Sequence, residues 1–338
     1  MTIKDIARES GYAVGTVSRV LNNSPNVSDA ARQRILEVVQ KYDFQPNSNA
    51  KHLKQQVSQG IAMIVKGSHN VLFASLLEKT QIACDAAGFS STVYYIDEDD
   101  NEVAHARQVC REHKPSGIIF FGSDSNNFDE NLSELDIPCL LMTNMAAASS
   151  SDNLSSVSVD DTGAAAHMIE YLHRKGHRNI GVIGGDPGSS YPSMARLSGC
   201  LLSCSQLGIP FDPQTQYVAT RFTFEGGYHA MEQLLERCPD LTAVFAYSDI
   251  MAIGAIRALR DHGLSVPEDV SVCGFDGISL TSYLTPRLTT IRQPEDRLAL
   301  RGVSILIHCI EEGHGAVHEI VPYELQEGES VRTLPSAE

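Results

Sequence analysis

From residue 60 onward, the chain alternates between short apolar runs and longer stretches of helical length. Residues 60–66 and 117–122 are apolar runs as long as a strand, and 71–87 and 102–113 have the length of helices. Continuous apolar strands that alternate with helices are typical of parallel sheets covered by helices on both faces. The chain is therefore predicted to be an α/β protein built on doubly wound parallel sheets.

The alternation continues to residue 275, which is too long for one sheet of this kind. The polar, acidic stretch 149–161 is predicted to separate two lobes, and 288–293 and 318–325 are predicted to be crossings between them. The other predicted strands are 91–97, 138–144, 179–184, 216–220, 243–247 and 271–275, and the other predicted helices are 161–175, 191–207, 225–237 and 249–262.

Charge is distributed unevenly along the chain. Residues 1–58 carry eight lysines and arginines against five acidic residues, a net charge of +3. The whole chain has a formal net charge of −16, which leaves −19 on residues 59–338. A basic N-terminal segment on an otherwise acidic chain is typical of a protein that binds a polyanion through that segment.

The first 42 residues have the pattern of three short helices. Thr2 is the predicted N-cap of the first, Gly11 supplies a tight turn before a second helix at about 14–21, and Ser28 caps the third. The apolar positions at helical spacing are Ile3, Ile6 and Ala7, then Val17, Val20 and Leu21, then Ala31, Ile35, Val38, Val39 and Tyr42. Two helices joined by a glycine turn, with a polar outer face on the second, describe a helix-turn-helix.

The outer face of the second helix carries Thr16, Ser18 and Arg19. Hydroxyl groups bond phosphates or base edges, and a guanidinium can grip guanine through two parallel hydrogen bonds. The alternative is a small helical packing module whose polar face is merely solvated. Because the charge of this end favours a polyanion, DNA binding is the preferred interpretation.

Several other classes of protein have no support in the sequence. No apolar run approaches 18 residues and Met1 leads directly into the first helix, so neither a membrane span nor a secretory signal is predicted. The eight cysteines form no C-x-x-C pair, which indicates reduced thiols in a cytoplasmic protein rather than disulfides or zinc. The glycines at 181–188 have the wrong spacing for a dinucleotide site, and Pro187 breaks the expected helix start. No catalytic motif appears, so no enzyme activity, cofactor or metal is expected.

Two N-terminal segments, 2–7 (TIKDIA) and 16–22 (TVSRVLN), resemble the signature of the lactose repressor/galactose repressor family of bacterial transcription regulators. The segment 44–54 (FQPNSNAKHLK) resembles the hinge of that family, and the resemblance continues over nearly the whole chain. It implies three parts: a helix-turn-helix domain at 1–45, a hinge at 46–58, and an effector-binding and dimerisation core at 59–338. In this core the first lobe covers about 59–159 plus 292–318, and the second covers about 160–290 plus 319–332.

The resemblance also implies which residues contact DNA. The segment from Asn47 to about residue 55 would form a short hinge helix on operator DNA, and Leu53 would enter the minor groove as a wedge with Ala50 and Lys54 beside it. From composition alone, this segment is a flexible linker. In the helical domain, the implied contacts are Thr2, Val14, Gly15, Thr16, Ser18, Arg19 and Asn22.

Two lobes joined by crossings form a cleft, and ligands in such folds lie beyond the carboxyl ends of the strands. In the family, a carboxylate at the position of Asp249 and a guanidinium at that of Arg196 bond the effector, and an aromatic ring at that of Phe222 stacks on it. The residues that end strands or open helices add further candidates. They are Asp161 and Asp276 in the second lobe and, where the family commonly places contacts, Asn70 and Phe73 in the first lobe.

Each of these effector candidates has a structural alternative. Asp249, Asp161 and Asp276 could cap helices, because acidic residues at strand ends often do so. Arg196 could be a partner in a surface or inter-lobe ion pair, and Phe222 could be a core residue.

Two departures from the family pattern affect the expected DNA site and assembly. Val14 and Gly15 fall at the variable contacts that set specificity, and Gly15 offers no side chain, so readout there would depend on Val14 meeting a thymine methyl group and on Arg19. No leucine heptad follows the C-terminal segment, so a homodimer on a near-palindromic operator is expected.

The sequence therefore predicts a cytoplasmic DNA-binding transcription regulator, a repressor by expectation, controlled by a small polar effector for which a sugar is expected. A periplasmic-type binding protein shares the two-lobed body and is the main alternative. An α/β enzyme is a second alternative.

Overall fold

The computed structural model describes residues 3–21, 27–42, 60–67, 70–123, 128, 132–146, 151–313 and 315–335. The chain divides into two compact units, Met1–Ser58 and Gln59–Glu338. The predicted DNA contacts Thr2, Asn22, Asn47, Ala50, Leu53 and Lys54 lie outside the described residues.

The first unit contains the three predicted helices, α1 (Ile3–Ser10), α2 (Val14–Leu21) and α3 (Asp29–Lys41). Gly11 turns the chain after α1 with a φ of +77°, a conformation that side chains with a Cβ rarely adopt. Ser28 caps α3 as predicted and accepts a hydrogen bond from the Ala31 N–H. One small core joins the three helices and contains Ile6, Ala7, Val17, Val20, Ile35 and Val38.

The second unit alternates strands and helices. Its described strands are β1 (Gly60–Lys66), β2 (Ser90–Ile96), β3 (Gly117–Phe121), β4 (Cys139–Met142), β5 (Leu154–Ser158), β6 (Ile180–Gly184), β7 (Tyr217–Ala219), β8 (Ala243–Ala246), β9 (Ser271–Asp276), β10 (Thr289–Arg292), β11 (His318–Ile320) and β12 (Glu324–Gln326). Its described helices are α4 (Val71–Ala86), α5 (Glu102–His113), α6 (Asp161–Arg174), α7 (Tyr191–Leu207), α8 (Pro213–Gln216), α9 (Phe224–Arg237), α10 (Asp249–Asp261) and α11 (Glu295–Glu312).

The described strands form two six-stranded sheets. The sheet of the first lobe has the order β11-β5-β4-β3-β1-β2, and every neighbouring pair in it is parallel. The sheet of the second lobe has the order β12-β10-β9-β8-β6-β7 and is parallel except for β12, which runs antiparallel to β10. The predicted α/β class with two doubly wound parallel sheets is confirmed.

The stretch 149–161, predicted as a polar boundary, contains a buried strand instead. β5 lies between β11 and β4 in the first sheet, and two of its three serine hydroxyls find partners from distant segments. Ser156 Oγ lies 2.8 Å from His318 Nδ1, and Ser155 Oγ accepts a hydrogen bond from the Val317 N–H. The sequence did not predict this strand because a polar sequence can be buried when its hydroxyl groups are hydrogen-bonded, whereas the boundary between the lobes within 149–161 stays a prediction.

Most of the segment 288–293 forms β10, which is a strand of the second sheet. The chain therefore crosses between the lobes only at the end of this segment. The chain then passes to α11, which packs on α4, β4 and β5 of the first lobe. In the predicted crossing 318–325, β11 belongs to the first sheet and β12 to the second, so the chain changes lobes between them. Within the described ranges, no helix combines the length and the apolar character needed to cross a membrane.

Candidate functional site

The carboxyl ends of the strands of both sheets face a cavity of about 660 Å³. Asp161 and Asp249 are buried outside its lining. Five of the seven predicted effector contacts line it, from both lobes: Asn70, Phe73, Arg196, Phe222 and Asp276.

Arg196, near the start of α7, is the most firmly held of these side chains. Its Nε donates to Asp161 Oδ1 at 2.8 Å, and its Nη1 donates to the Tyr247 carbonyl oxygen. Its guanidinium carbon lies 3.5 Å from the centre of the Phe275 ring, a cation–π contact. Burial raises the pKa of Asp161, and the pairing with Arg196 opposes that rise. Arg196 is thus an oriented donor in the cavity wall, and Asp161 supports it from behind.

Asp276 ends β9 with a φ of +116°, a region that non-glycine residues rarely occupy. Gln293 fixes it twice, because its N–H donates to the Asp276 carbonyl and its Nε2 donates to Asp276 Oδ1, each at 2.9 Å. Burial raises the pKa of Asp276 to about 7, although Arg196 and Gln293 favour the charged form. Backbone strain of this kind is found where a side chain must be held at a functional position.

Asp249 lies behind the cavity wall. Its Oδ2 accepts a hydrogen bond from the Ile278 N–H at 2.9 Å, and its Oδ1 accepts one from the Thr290 hydroxyl at 2.6 Å. Ser248, not Asp249, caps α10. Burial, and then the negative charge of Asp276, raise the pKa of Asp249 well above its ordinary value. The predicted effector contact at Asp249 has no exposed surface in the cavity lining, and its bonds hold the turn that follows Asp276.

The two predicted contacts of the first lobe, Asn70 and Phe73, are both neutral and line the cavity. Asn70 caps α4 by accepting a hydrogen bond from the Leu72 N–H. Phe73 packs edge to face on Phe121, with ring centres 6.2 Å apart. Gly122 lies so close to this ring that an added Cβ would come within 2.8 Å of it. Phe73 is therefore both a core residue and part of the wall.

Several lining residues were not predicted. They lie at the ends of strands: Lys66 is the last residue of β1, Gln293 comes directly after β10, and Ser123, Asn144 and Arg221 are each the second residue after β3, β4 and β7. The signal that could have found them is the rule that selected Asp276, namely that polar residues at the carboxyl ends of parallel strands meet at one edge.

The described residues offer no group of three or more His, Cys, Asp or Glu side chains that could hold a metal ion. All eight cysteines are free, and six of them are buried. Burial raises the pKa of the Cys84 and Cys200 thiols to about 12, which makes thiolate chemistry there unfavourable.

The first unit presents the predicted DNA-contacting face on α2. Val14, Gly15 and Arg19 are exposed, and Thr16 and Ser18 are half-buried. A Cβ added at Gly15 would meet nothing within 4 Å, so packing inside this unit does not require glycine there. The space beside Gly15 is therefore open to a binding partner and is not filled by the core of the unit.

Comparison with known proteins matches both units. Residues 2–47 match the family described as bacterial regulatory proteins, lacI family, and residues 169–331 match a periplasmic binding protein-like domain. The HTH-type transcriptional repressor CytR of Escherichia coli (strain K12) is 32% identical over 337 residues, which cover 99% of this chain and 97% of CytR.

Two solved structures have the same fold over 98% of this chain and 99% of their own. A lac repressor dimer bound to operator and the anti-inducer ONPF matches with a TM-score of 0.84 at 23% identity. A complex of the transcriptional regulator CelR with cellobiose matches with a TM-score of 0.73 at 25% identity. The match at 2–47 favours a regulator over a periplasmic-type binding protein. The chain belongs to the lacI family of bacterial regulatory proteins and is a DNA-binding regulator of transcription.

Proposed function

We propose that this protein represses transcription as a homodimer on a near-palindromic operator, and that a sugar bound between the lobes changes its operator affinity. The observation that carries the proposal is that one cavity is lined by residues of both lobes. A ligand there contacts both lobes at once, so its affinity depends on their arrangement, and linkage then makes effector and operator change each other's affinity by one factor.

The lining supports a sugar. Arg196 and Asp276 offer a fixed donor and a fixed acceptor to hydroxyl groups, and Phe222 and Phe73 offer flat rings to C–H faces. Asp161 and Asp249 act through these residues, by orienting Arg196 and the turn after Asp276. The related CelR structure holds cellobiose.

The test is a mobility-shift experiment on the full chain. A randomised duplex library is selected for binding, and the enriched duplex is then titrated with and without a panel of sugars. We expect a near-palindromic duplex to be enriched and one sugar to change its affinity by about 5- to 150-fold. Binding that never exceeds that of random DNA would contradict the proposal.

Readout by the first unit is proposed to depend on Arg19 with Thr16, Ser18 and Val14. Because Gly15 faces open space, Gly15→Ala is expected to keep the fold and to alter the preferred base at one operator position. Retention of the same preference would remove Gly15 from the DNA interface.

The hinge wedge is proposed at Leu53. We expect Leu53→Ala to weaken operator binding more than binding to random DNA, because only the operator complex gains from a kinked base step. Lys41→Ala, at an exposed position outside the hinge, is the control, since removal of a general positive charge should weaken binding to both duplexes alike. Equal losses at both duplexes for Leu53→Ala would rule out the wedge.

We also infer that the protein acts in the cytoplasm, where operator DNA is found, and that it turns over no ligand. A turnover assay on the same sugar panel tests the second inference, and any product formed from a bound sugar would contradict it.

A further inference from the structure

Two of the cations that line the cavity are buried in ion pairs of the protein. Lys66 Nζ lies 2.9 Å from Glu102 Oε2, and their side chains are only 10% and 1% exposed. Arg196 and Asp161 pair at 2.8 Å with side-chain exposures of 5% and 2%. Removing a buried cation from its partner leaves the carboxylate uncompensated, which is costly. Neither cation is therefore available to neutralise a charged ligand.

The third lining cation, Arg221, is held at the mouth of the cavity. Its guanidinium pairs with Asp99 of the opposite lobe and lies 3.7 Å from Asp97. An anion that approached Arg221 would compete with two carboxylates that are already present.

Among the described residues of the lining, acidic groups outnumber these cations. Four carboxyl-bearing side chains stand there beside the three cations: Glu98, Asp99, Asp186 and Asp276. The partners Glu102 and Asp161 lie just outside the lining. The described lining therefore carries more acidic than basic side chains, both in the wall of the second lobe and at the mouth of the cavity.

Two neutral amide side chains of the lining use their N–H donors within the protein, whereas their oxygen atoms accept no hydrogen bond among the described residues. Asn144 donates its amide to the Ser123 carbonyl, and Gln293 donates its amide to Asp276. These bonds fix the orientation of both amides and leave Asn144 Oδ1 and Gln293 Oε1 as acceptors. Both oxygens are buried within the wall and accept no hydrogen bond from the described part of the chain. The acceptors that face the cavity are therefore the carboxyl groups of the lining, which favour a ligand with O–H or N–H groups.

We propose that the cavity selects an uncharged or amine-bearing hydroxyl compound and rejects anionic ones such as sugar phosphates and sugar acids. The inference rests on the proposed function of the same cavity. A phosphate group brings up to two negative charges, and its ionised oxygens donate no hydrogen bond. It would meet no described lining cation whose charge is not already balanced by a carboxylate, whereas hydroxyl and ammonium groups can donate to the carboxyl groups of the lining.

The experiment uses matched compounds with the full chain. Glucose, glucosamine, glucose 6-phosphate and glucuronate form one set, ribose and ribose 5-phosphate a second, and cytidine and cytidine monophosphate a third. Binding is measured by calorimetry and by the shift in operator affinity. We expect a neutral member of at least one set to bind and its anionic counterpart to bind at least about 100-fold more weakly, since unpaired buried charge costs a few kcal/mol. Glucosamine is expected to bind at least as tightly as glucose.

The outcomes separate this inference from the function on which it rests. An anionic compound that binds as tightly as its neutral parent, or more tightly, overturns the charge selection and leaves the effector function intact. If no compound in any set binds or alters operator affinity, the cavity is not an effector site of this kind and both proposals are contradicted.

A variant of the wall tests the electrostatic cause. At about pH 8, where Asp276 with its pKa of about 7 is mostly ionised, Asp276→Asn removes one negative charge with little change of shape, so we expect the preference for the neutral compound over its phosphate to shrink by about tenfold. Asp240→Asn removes an exposed carboxylate outside the lining and should leave the preference unchanged. An unchanged preference in Asp276→Asn contradicts the proposal.

Discussion

The two lobes have the same strand order and give the cavity two different walls. Counted from the outer edge, β2-β1-β3-β4-β5 in the first sheet corresponds to β7-β6-β8-β9-β10 in the second. The wall of the second lobe contains a buried cluster of one arginine and three carboxyl groups: Arg196, Asp161, Asp249 and Asp276. Beside the carboxylates Glu98 and Asp99, neither of which is buried, the first lobe presents an aromatic ring and neutral polar groups. Its buried ion pair, Lys66–Glu102, lies at the lining but engages both of its members with each other.

The difference indicates that the two walls have different roles although the lobes share one architecture. Buried charges are stable only when they are paired and hydrogen-bonded, so the second wall is rigid and directional. The acidic side chains that line the first wall, Glu98 and Asp99, are not buried, so this wall can approach or leave a ligand without leaving a buried charge unpaired. We therefore expect substitutions in the second wall to affect recognition and stability together, and those in the first wall to affect them separately.

The strongest test of this contrast is Arg196→Met. Loss of the guanidinium leaves Asp161 buried without its ion pair, so we expect the free energy of unfolding to fall by about 3–5 kcal/mol and the effector response to disappear. Urea unfolding and mobility shifts measure the two effects. Arg174→Met, at an exposed position of α6, is the control and should change the free energy by less than about 0.5 kcal/mol. Wild-type stability in Arg196→Met would show that the pair does not hold this wall.

The two aromatic rings give a second test. Phe73 is 8% exposed and belongs to the core, so Phe73→Ala is expected to lower the free energy of unfolding by about 3 kcal/mol. Phe222 is only half-buried, so Phe222→Ala is expected to weaken effector binding by about tenfold with a smaller loss of stability. Thermal unfolding and calorimetry on both variants measure these effects. The reverse order would assign the stacking role to the first wall.

The pH dependence of stability tests the charge of the second wall. The pKa of Asp276 is raised to about 7 in the fold, against about 3.9 in an unfolded chain, so the folded state holds the proton more tightly. The stability that this proton contributes is present at low pH and is lost as the pH rises from about 4 through about 7.

The side chain introduced by Asp276→Asn cannot ionise. The Tm of this variant minus the Tm of the wild type should therefore be roughly 2–4 °C larger at about pH 8 than at about pH 5. Asp240→Asn serves as the exposed control and should follow the wild type. A difference that stays constant with pH would mean that Asp276 is not the group that titrates.

The smallest expected effect lies in the first wall. Ser123 is buried with no hydrogen-bond partner for its Oγ among the described residues. If an effector hydroxyl supplies that partner, Ser123→Ala should weaken effector binding by about two- to tenfold, the value of one neutral hydrogen bond. Ser205→Ala, exposed on α7, is the control. Calorimetry with unchanged affinity would show that the effector does not reach this part of the wall.

The sequence predicted most elements to within one or two residues, because apolar periodicity and capping residues such as Ser28 are local properties. The helix-turn-helix at the N-terminus, the two parallel sheets and the family resemblance could also be recognised from the chain alone. β5 could not be recognised, because its serines are acceptable inside the fold only through hydrogen bonds to Val317 and His318, more than 150 residues away.

The composition of the cavity was decided by tertiary structure. Strand ends pointed correctly to Arg196, Phe222 and Asp276 as members of the lining, but the order of strands across the two sheets determined that Asn144 and Gln293 join them. The same packing placed Asp249 behind the wall, where its carboxylate bonds Ile278 and Thr290. Sequence spacing determines which residues end a strand, whereas only the packing of one lobe against the other determines which of those residues face the same space.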